Sequence, residues 1–279
     1  MVGLRNDREK VVPRVQSLAK SQSVASDWTL GTTLSRSFRS PTIEELYSEG
    51  PHLADFSFDI GSPDLGPEIG MGADVFLKST LPGLKLELAG YYNLVDGYLY
   101  YNPTGETVRV IREGTPPRET PVFEARGDDA RFLGAEARVQ WEVLDDLTLD
   151  ATASYTRAER RETGDPLPFI PPLSGRVEAR YQHGPFFGSL GADFAAPQNR
   201  VPRPVQVGDE LEEPQAPTAG YALLNAGLGW RHEGDLADHN VMLQIRNATD
   251  RMWRSHLSRI KDVAPQPGRN ISLTYRAIF

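Results

Sequence analysis

The feature that most constrains this chain is an alternation of apolar and polar side chains with a period of two residues, which recurs over residues 28–279. From Leu133 to Trp141, apolar residues occupy the odd positions, and glycine, glutamate, arginine and glutamine occupy the even ones. Successive side chains of a β-strand point to opposite faces of the sheet, so this pattern predicts strands with one apolar face. Ten such strands are predicted, beginning near Trp28, Met71, Leu84, Leu133, Leu147, Leu173, Phe186, Ala222, Val241 and Ile271.

Helical patterns are scarce by comparison. The one short candidate is residues 41–47, where Thr42 and Glu45 have the spacing of a capping box. No stretch reaches the ~18 consecutive apolar residues that a spanning helix needs. The sequence therefore predicts an all-β chain.

The connections between the predicted strands alternate in length. Short connections are predicted at residues 80–83, 145–146, 184–185 and 233–238, and long polar ones at 39–68, 96–129, 158–171, 196–219 and 250–269. Aromatic residues gather at two levels: Trp141, Phe186 and Trp230 near the short turns, and Tyr155 and Phe194 nearer the long loops. Short turns at one end, long loops at the other and two aromatic girdles are typical of an antiparallel transmembrane β-barrel. A water-soluble β-sandwich explains the alternation equally well, but explains the sorted loops and aromatics less well.

Composition excludes several classes of function. The 279 residues carry a formal net charge of -8 and no cysteine, which argues against a nucleic-acid partner and excludes disulfides and thiolate metal sites. The sequence lacks a Gly-rich phosphate loop, a Gly-x-Ser-x-Gly elbow and a His-Glu-x-x-His motif. We therefore expect no enzymatic activity and no cofactor.

Three motifs, in order, resemble the C-terminal half of TonB-dependent outer-membrane receptors. Residues 35–47 are similar to the R-x-F-R-x-P…E-E-L-Y stretch of that family, and residues 61–68 to its G-N-P-D-L-x-P-E loop, with Ser62 in place of asparagine. Residues 246–251 resemble x-N-L-T-D-x. A last strand that ends in Phe279 resembles the signal read by the barrel-assembly machinery, with Tyr275 and Leu273 on the same face.

This resemblance implies a domain organisation. Residues 27–279 would supply about ten strands of a barrel of roughly 22, and residues 1–26 would be an irregular segment with at most one strand, at residues 2–12. No signal peptide, TonB-contacting segment or plug is recognisable, so the sequence is interpreted as the C-terminal portion of a receptor that meets TonB only through a missing N-terminal part. The implied surroundings are the bacterial outer membrane, its lipid and its lipopolysaccharide.

The resemblance extends to a subgroup that takes up zinc or metal chelates, on residues 50–54 and 256–262. A small metal-containing ligand is therefore expected. Imidazole and carboxylate groups suit such metals, and the candidate ligand-binding residues in the long loops are His52, Glu44, Glu45, Asp55 and His256. An alternative hypothesis is a complete ten-stranded barrel that acts as a passive pore or as a hydrolase.

Overall fold

Antiparallel strands dominate the structure, a computed structural model that describes residues 16–279 apart from 53, 112, 113, 115, 208, 209 and 213. The strands are β1 (Gln16–Ala25), β2 (Trp28–Arg39), β3 (Glu49–His52), β4 (Ser57–Ile60), β5 (Glu68–Leu81), β6 (Leu84–Val110), β7 (Arg118–Leu144), β8 (Leu147–Arg160), β9 (Ser174–His183), β10 (Phe186–Ala195), β11 (Val205–Val207), β12 (Glu210–Glu212), β13 (Tyr221–Glu233), β14 (Asp238–Arg246) and β15 (Asn270–Ile278).

All ten predicted strands are present, and the four predicted short turns join the pairs they were expected to join. Two expectations are wrong. Residues 16–25 form the strand β1, which pairs with β2, so residues 1–26 are not irregular throughout. The predicted loop at 96–129 is largely strand, because β6 and β7 continue as a paired hairpin to Val110 and Arg118. The strand predicted at residues 2–12 lies outside the described residues.

Eleven strands form one meandering sheet in the order β1-β2-β5-β6-β7-β8-β9-β10-β13-β14-β15. Each strand of this path pairs with its neighbour in an antiparallel arrangement, and β4 adds a short parallel pairing to β7. Within the described residues, β1 and β15 lie at opposite ends of the order and are not hydrogen-bonded to each other. The hypothesis of a barrel closed by these strands alone is therefore wrong.

The apolar residues of neighbouring strands lie in register and form one continuous band. Leu190 pairs with Ala226, Ala226 with Ile245, and Ile245 with Ile271. Many side chains of the band are exposed, Leu228 by 62% and Leu273 by 72%. Such an exposed band is the lipid-facing surface of a membrane barrel, whereas a soluble sandwich would cover it with a second sheet.

The opposite face of the sheet is polar and carries paired charges. Arg180 lies 2.6 Å from Asp150, Lys78 lies 3.3 Å from Glu87, and Arg176 lies 3.1 Å from Glu178. Charges inside strands are costly in lipid and are tolerated in a hydrated lumen. This face is therefore the lumen side of the sheet.

The two aromatic levels are present. At the short-turn end, Phe186 pairs with Trp230, which pairs with Val241, which pairs with Tyr275, so three rings lie in one row. At the long-loop end, Tyr92 pairs with Leu133 and Tyr155 with Ala135, and both rings are exposed on the apolar face. Rings at these two levels mark the two membrane interfaces.

The predicted helix is confirmed as α1 (Ile43–Tyr47). Thr42 Oγ1 accepts from the Glu45 backbone N–H at 3.2 Å, and the Glu45 carboxylate accepts from the Thr42 N–H at 2.8 Å, which completes the capping box. No helix among the described residues is long and apolar enough to cross a membrane.

Asn247 fixes the turn that follows β14. Its backbone has a positive φ of 50°, and its side chain accepts from the Arg251 N–H and donates to the Arg251 carbonyl, both at 2.9 Å. Its own N–H donates to Asn225 Oδ1 at 3.0 Å. Asparagine tolerates the left-handed region and satisfies nearby backbone groups, which explains the asparagine of the third motif.

The first prediction concerns the apolar band. Leu243→Arg places a charge at mid-strand on the lipid face and should reduce the free energy of unfolding in a membrane by about 2–4 kcal/mol. The neighbouring change Gln244→Arg places the same charge on the lumen face and should cost less than about 1 kcal/mol. Urea titration in lipid vesicles measures both, and equal losses would contradict the assignment of the two faces.

The second prediction concerns the turn. Asn247→Ala removes the two side-chain hydrogen bonds to Arg251 and disfavours the positive φ, so we expect a loss of about 2–3 kcal/mol in unfolding free energy. The control is Asn199→Ala, at an exposed loop position. Thermal or urea unfolding in detergent compares the two, and a loss no larger than that of the control would show that the turn does not depend on Asn247.

Candidate functional site

The long loops build a structured platform at one end of the sheet. The β6–β7 hairpin rises above the other strands, and Phe58, Asp59 and Ile60 of β4 pair with residues 122–124 of β7. A bulge at residues 96–97 redirects β6 at the base of this hairpin. Its Gly97 has a positive φ of 65° and donates its N–H to Asp129 Oδ1 at 3.0 Å.

Arg39 joins the first two motifs. Its guanidinium donates to Glu45 Oε2 at 2.9 Å and to Glu68 Oε2 at 3.0 Å, and the same Glu68 oxygen accepts from the Leu99 N–H at 3.2 Å. The carboxylate of Glu45, one of the candidate ligand residues, is thus engaged with Arg39 and with the cap of α1. The structure leaves Glu44 exposed on α1.

Arg259 brings the β14–β15 loop into contact with the platform. Its Nη1 lies 3.4 Å from Asp59 Oδ2 and 3.5 Å from Asp55 Oδ2. Its guanidinium carbon lies 5.2 Å from the ring centroid of Tyr101 and 4.6 Å from that of Phe123. We call these five residues the loop cluster. Ion pairing and cation–π contacts hold together segments that are 200 residues apart in sequence.

His52 lies at the edge of the loop cluster. Its Nδ1 is 3.3 Å from Asp55 Oδ2, and about half of its side chain is exposed. Of the five candidate ligand residues, the structure therefore brings His52 and Asp55 together and places the two glutamates on α1. The sequence analysis did not select Arg259, although it lies in the segment 256–262 that carries the metal-uptake resemblance.

His256 has a different environment. It is buried, with Nδ1 3.0 Å from Thr218 Oγ1. Burial, and secondarily the neighbouring Lys261 cation, lower the pKa of His256 to about 4. Lys261 is itself buried, with Nζ 5.8 Å from the ring centroid of Phe169, and burial lowers its pKa also. His256 Nε2 and Lys261 Nζ have no hydrogen-bond partner in the part of the chain that the structure describes.

The described residues contain no group of three or more His, Cys, Asp or Glu placed to hold a metal ion. His52 and Asp55 offer one imidazole and one carboxylate, which is fewer than the four ligands of a closed zinc site.

The residues assigned to the barrel-assembly signal lie on the edge strand or directly after it. Leu273 and Tyr275 are exposed on the apolar face of β15, and Phe279 follows β15 with 99% of its surface exposed. Their position on an accessible edge is compatible with recognition during assembly. That role stays a prediction.

Solved structures of a copper transporter, a ferric citrate transporter and a siderophore receptor share this fold. The chain is similar to the copper transporter OprC, with a TM-score of 0.73 and 20% identity, over 91% of this chain and 38% of that one. It is similar to the ferric citrate transporter FecA, with a TM-score of 0.67 and 16% identity, over 94% of this chain and 37% of that one. The siderophore receptor PirA from Acinetobacter baumannii gives a TM-score of 0.67 and 14% identity, over 95% and 41% of the two chains. The chain thus spans about two fifths of each of these proteins.

A family model also matches the sequence. The model described as TonB dependent receptor-like, beta-barrel covers residues 2–248. The match therefore includes residues before the first motif, which begins at residue 35, and ends before β15. The family is located in the bacterial outer membrane, which agrees with the exposed apolar band and the two aromatic levels. With the motifs, the sheet order and this match in agreement, the chain belongs to the TonB-dependent receptor-like β-barrel family.

Proposed function

We propose that this chain supplies wall strands and outer loops to a receptor that takes up a metal ion or metal chelate across the outer membrane with energy from TonB. Family membership supports transport rather than catalysis. Within the described residues, β1 and β15 each have one side that no strand pairs with. This supports pairing with further strands of a larger barrel, since unpaired backbone groups are very costly in lipid. TonB would act through an N-terminal plug, as the family resemblance implies.

The observation that carries the ligand class is the loop cluster with its neighbour His52. Two aspartates and one arginine leave the cluster with a net charge of −1, which favours the approach of a cation. The exposed imidazole of His52, beside Asp55, adds one nitrogen donor. A metal that arrives as a partly liganded chelate fits these few donors better than a bare ion.

Uptake of radiolabelled zinc, copper and ferric citrate by cells tests this proposal, with and without TonB. The double variant His52→Ala/Asp55→Asn should raise the half-saturating ligand concentration about tenfold, because it removes the imidazole and one carboxylate charge. The maximal rate should change little, because the loop cluster binds ligand outside the membrane. Uptake that continues without TonB would show that the receptor function is wrong.

A matched control exists at the opposite end of the sheet. His183 and Asp146 form a similar pair, with Nδ1 2.7 Å from Oδ2, beside a short turn. The variant His183→Ala/Asp146→Asn should leave the half-saturating concentration unchanged. If uptake requires TonB but both double variants behave alike, the transport function stands and the assigned site is wrong.

A further prediction follows from the burial of His256. Since its pKa falls from 6.5 to about 4 on folding, the unfolded chain binds the proton more readily between these pH values. Stability contributed by neutral His256 is therefore present above pH 6.5 and lost as the pH falls toward 4, by at most about 3 kcal/mol. Denaturant unfolding at both pH values should show this loss in the wild type and a smaller one in His256→Gln. Equal losses in the two proteins would show that His256 is not buried in the neutral form.

A further inference from the structure

Three arginines lie where the apolar band meets the long loops. Arg131 of β7 and Arg157 of β8 have the same strand parity as Leu133 and Tyr155, and the register pairs Leu133 with Arg157 without interruption. Both arginines therefore lie on the lipid side of the sheet, directly beyond the aromatic level. Arg200 reaches the same place from the loop between β10 and β11.

All three guanidinium groups converge on the carboxylate of Glu159. Arg131 Nε donates at 2.6 Å, Arg157 Nε at 3.0 Å and Arg200 Nη2 at 2.8 Å. The glutamate side chain is only 3% exposed beneath them. One guanidinium is enough to neutralise one carboxylate, so this group has a net charge of +2.

The outer sides of these arginines remain available. Between 36% and 48% of each side chain is exposed. Their hydrogen bonds to Glu159 use Nε of Arg131 and Arg157 and Nη2 of Arg200. The neighbouring carboxylates do not offset the charge, because Asp129 is paired with Arg161 and Asp165 with Arg160, each at 2.6 Å.

An adjacent cleft extends from Arg200, the one arginine of the three that lines it, to the apolar residues Tyr155 and Leu173. The cleft has a volume of about 310 Å³ and is lined by Arg200, Tyr155 and Leu173, together with Pro172 and Ala196. Its walls are mostly apolar, and Arg200 supplies a guanidinium group. Such a pairing of apolar wall and cation is complementary to a lipid with an anionic headgroup.

We propose that Arg131, Arg157 and Arg200 bind a phosphate of lipopolysaccharide in the outer leaflet, with an acyl chain along the cleft and the apolar band. Arginine presents paired N–H groups that match the oxygens of a phosphate. Glu159 holds the three side chains in place, and the excess of two positive charges attracts the phosphate. The site is on the lipid side of the wall, so it is separate from the proposed ligand site on the loop platform.

The test measures lipid binding by the protein extracted from outer membranes in mild detergent. Native mass spectrometry follows titration with lipopolysaccharide, with the same lipid after enzymatic dephosphorylation, and with inorganic phosphate as competitor. Each arginine should contribute about fivefold to the affinity, so Arg131→Gln/Arg157→Gln/Arg200→Gln should weaken binding about a hundredfold. The dephosphorylated lipid should bind wild type and triple variant equally, and inorganic phosphate should not displace the lipid.

The matched control is Arg138→Gln, an exposed arginine of β7 on the lumen face. It should bind lipopolysaccharide as the wild type does, and heat-dependent gel mobility verifies folding of each variant. If the triple variant does not fold, the single variant Arg200→Gln tests the proposal, because this loop residue makes one contact with Glu159. It should weaken lipopolysaccharide binding about fivefold. Three results would overturn the proposal. They are wild-type affinity for lipopolysaccharide in the folded arginine variants, a loss of affinity in Arg138→Gln as large as in those variants, and binding of the dephosphorylated lipid to the wild type as tight as that of lipopolysaccharide.

Discussion

Hydrogen bonding between the backbones of adjacent strands is the interaction on which the rest of this structure depends. Eleven strands satisfy one another in a single antiparallel path, and only β1 and β15 have a free side within the described residues. In lipid, an unpaired N–H or C=O has no water to replace the missing partner. The pairing therefore sets the register, and the register sets which side chains meet the membrane and which meet the lumen.

Because the outer face of the sheet meets lipid, apolar side chains are buried at the loop end and exposed along the strands. The cluster of fully buried apolar residues, Ala130, Ala158 and Leu167, lies at the loop end, where Tyr98 and Phe132 pack against it. Elsewhere the large apolar side chains are exposed on the outer face. Lipid takes the place of a protein core along the strands, whereas the loops outside the membrane need a core of their own.

Charged side chains have different roles on the loop platform and on the lipid side of the sheet. At the loop platform, Arg39 joins Glu45 and Glu68 from separate segments, and Arg259 of the β14–β15 loop binds Asp55 and Asp59. At the lipid side, Glu159 gathers three arginines with more positive charge than it can neutralise. The loop cluster keeps an excess of one negative charge, and the arginine group around Glu159 keeps an excess of two positive charges.

Much of the fold could be predicted from the sequence because strand alternation and turn chemistry are local. The parity of residues 133–141, the capping box of Thr42 and Glu45, and the two-residue turn at 184–185 each depend on neighbours within a few positions. Strand β1 was missed because its sequence, QSLAKSQSVA, is mostly polar and alternates weakly. The hairpin continuation of β6 and β7 was missed because turn-forming Pro and Gly residues occur within it, including Pro103 in β6.

The arrangement of the candidate site was less predictable from the sequence than the fold, because it depends on tertiary contacts. Sequence patterns were sufficient for the all-β class, the lipid and lumen faces, the family resemblance and the loops in which ligand residues were sought. The folded chain was needed to find His52 beside Asp55, Glu45 bound to Arg39 and to the cap of α1, and His256 buried against Thr218. The physical reason is that side-chain periodicity acts over a few residues, whereas the Arg259–Asp59 contact joins positions 200 residues apart, and such convergence depends on the path of the whole sheet.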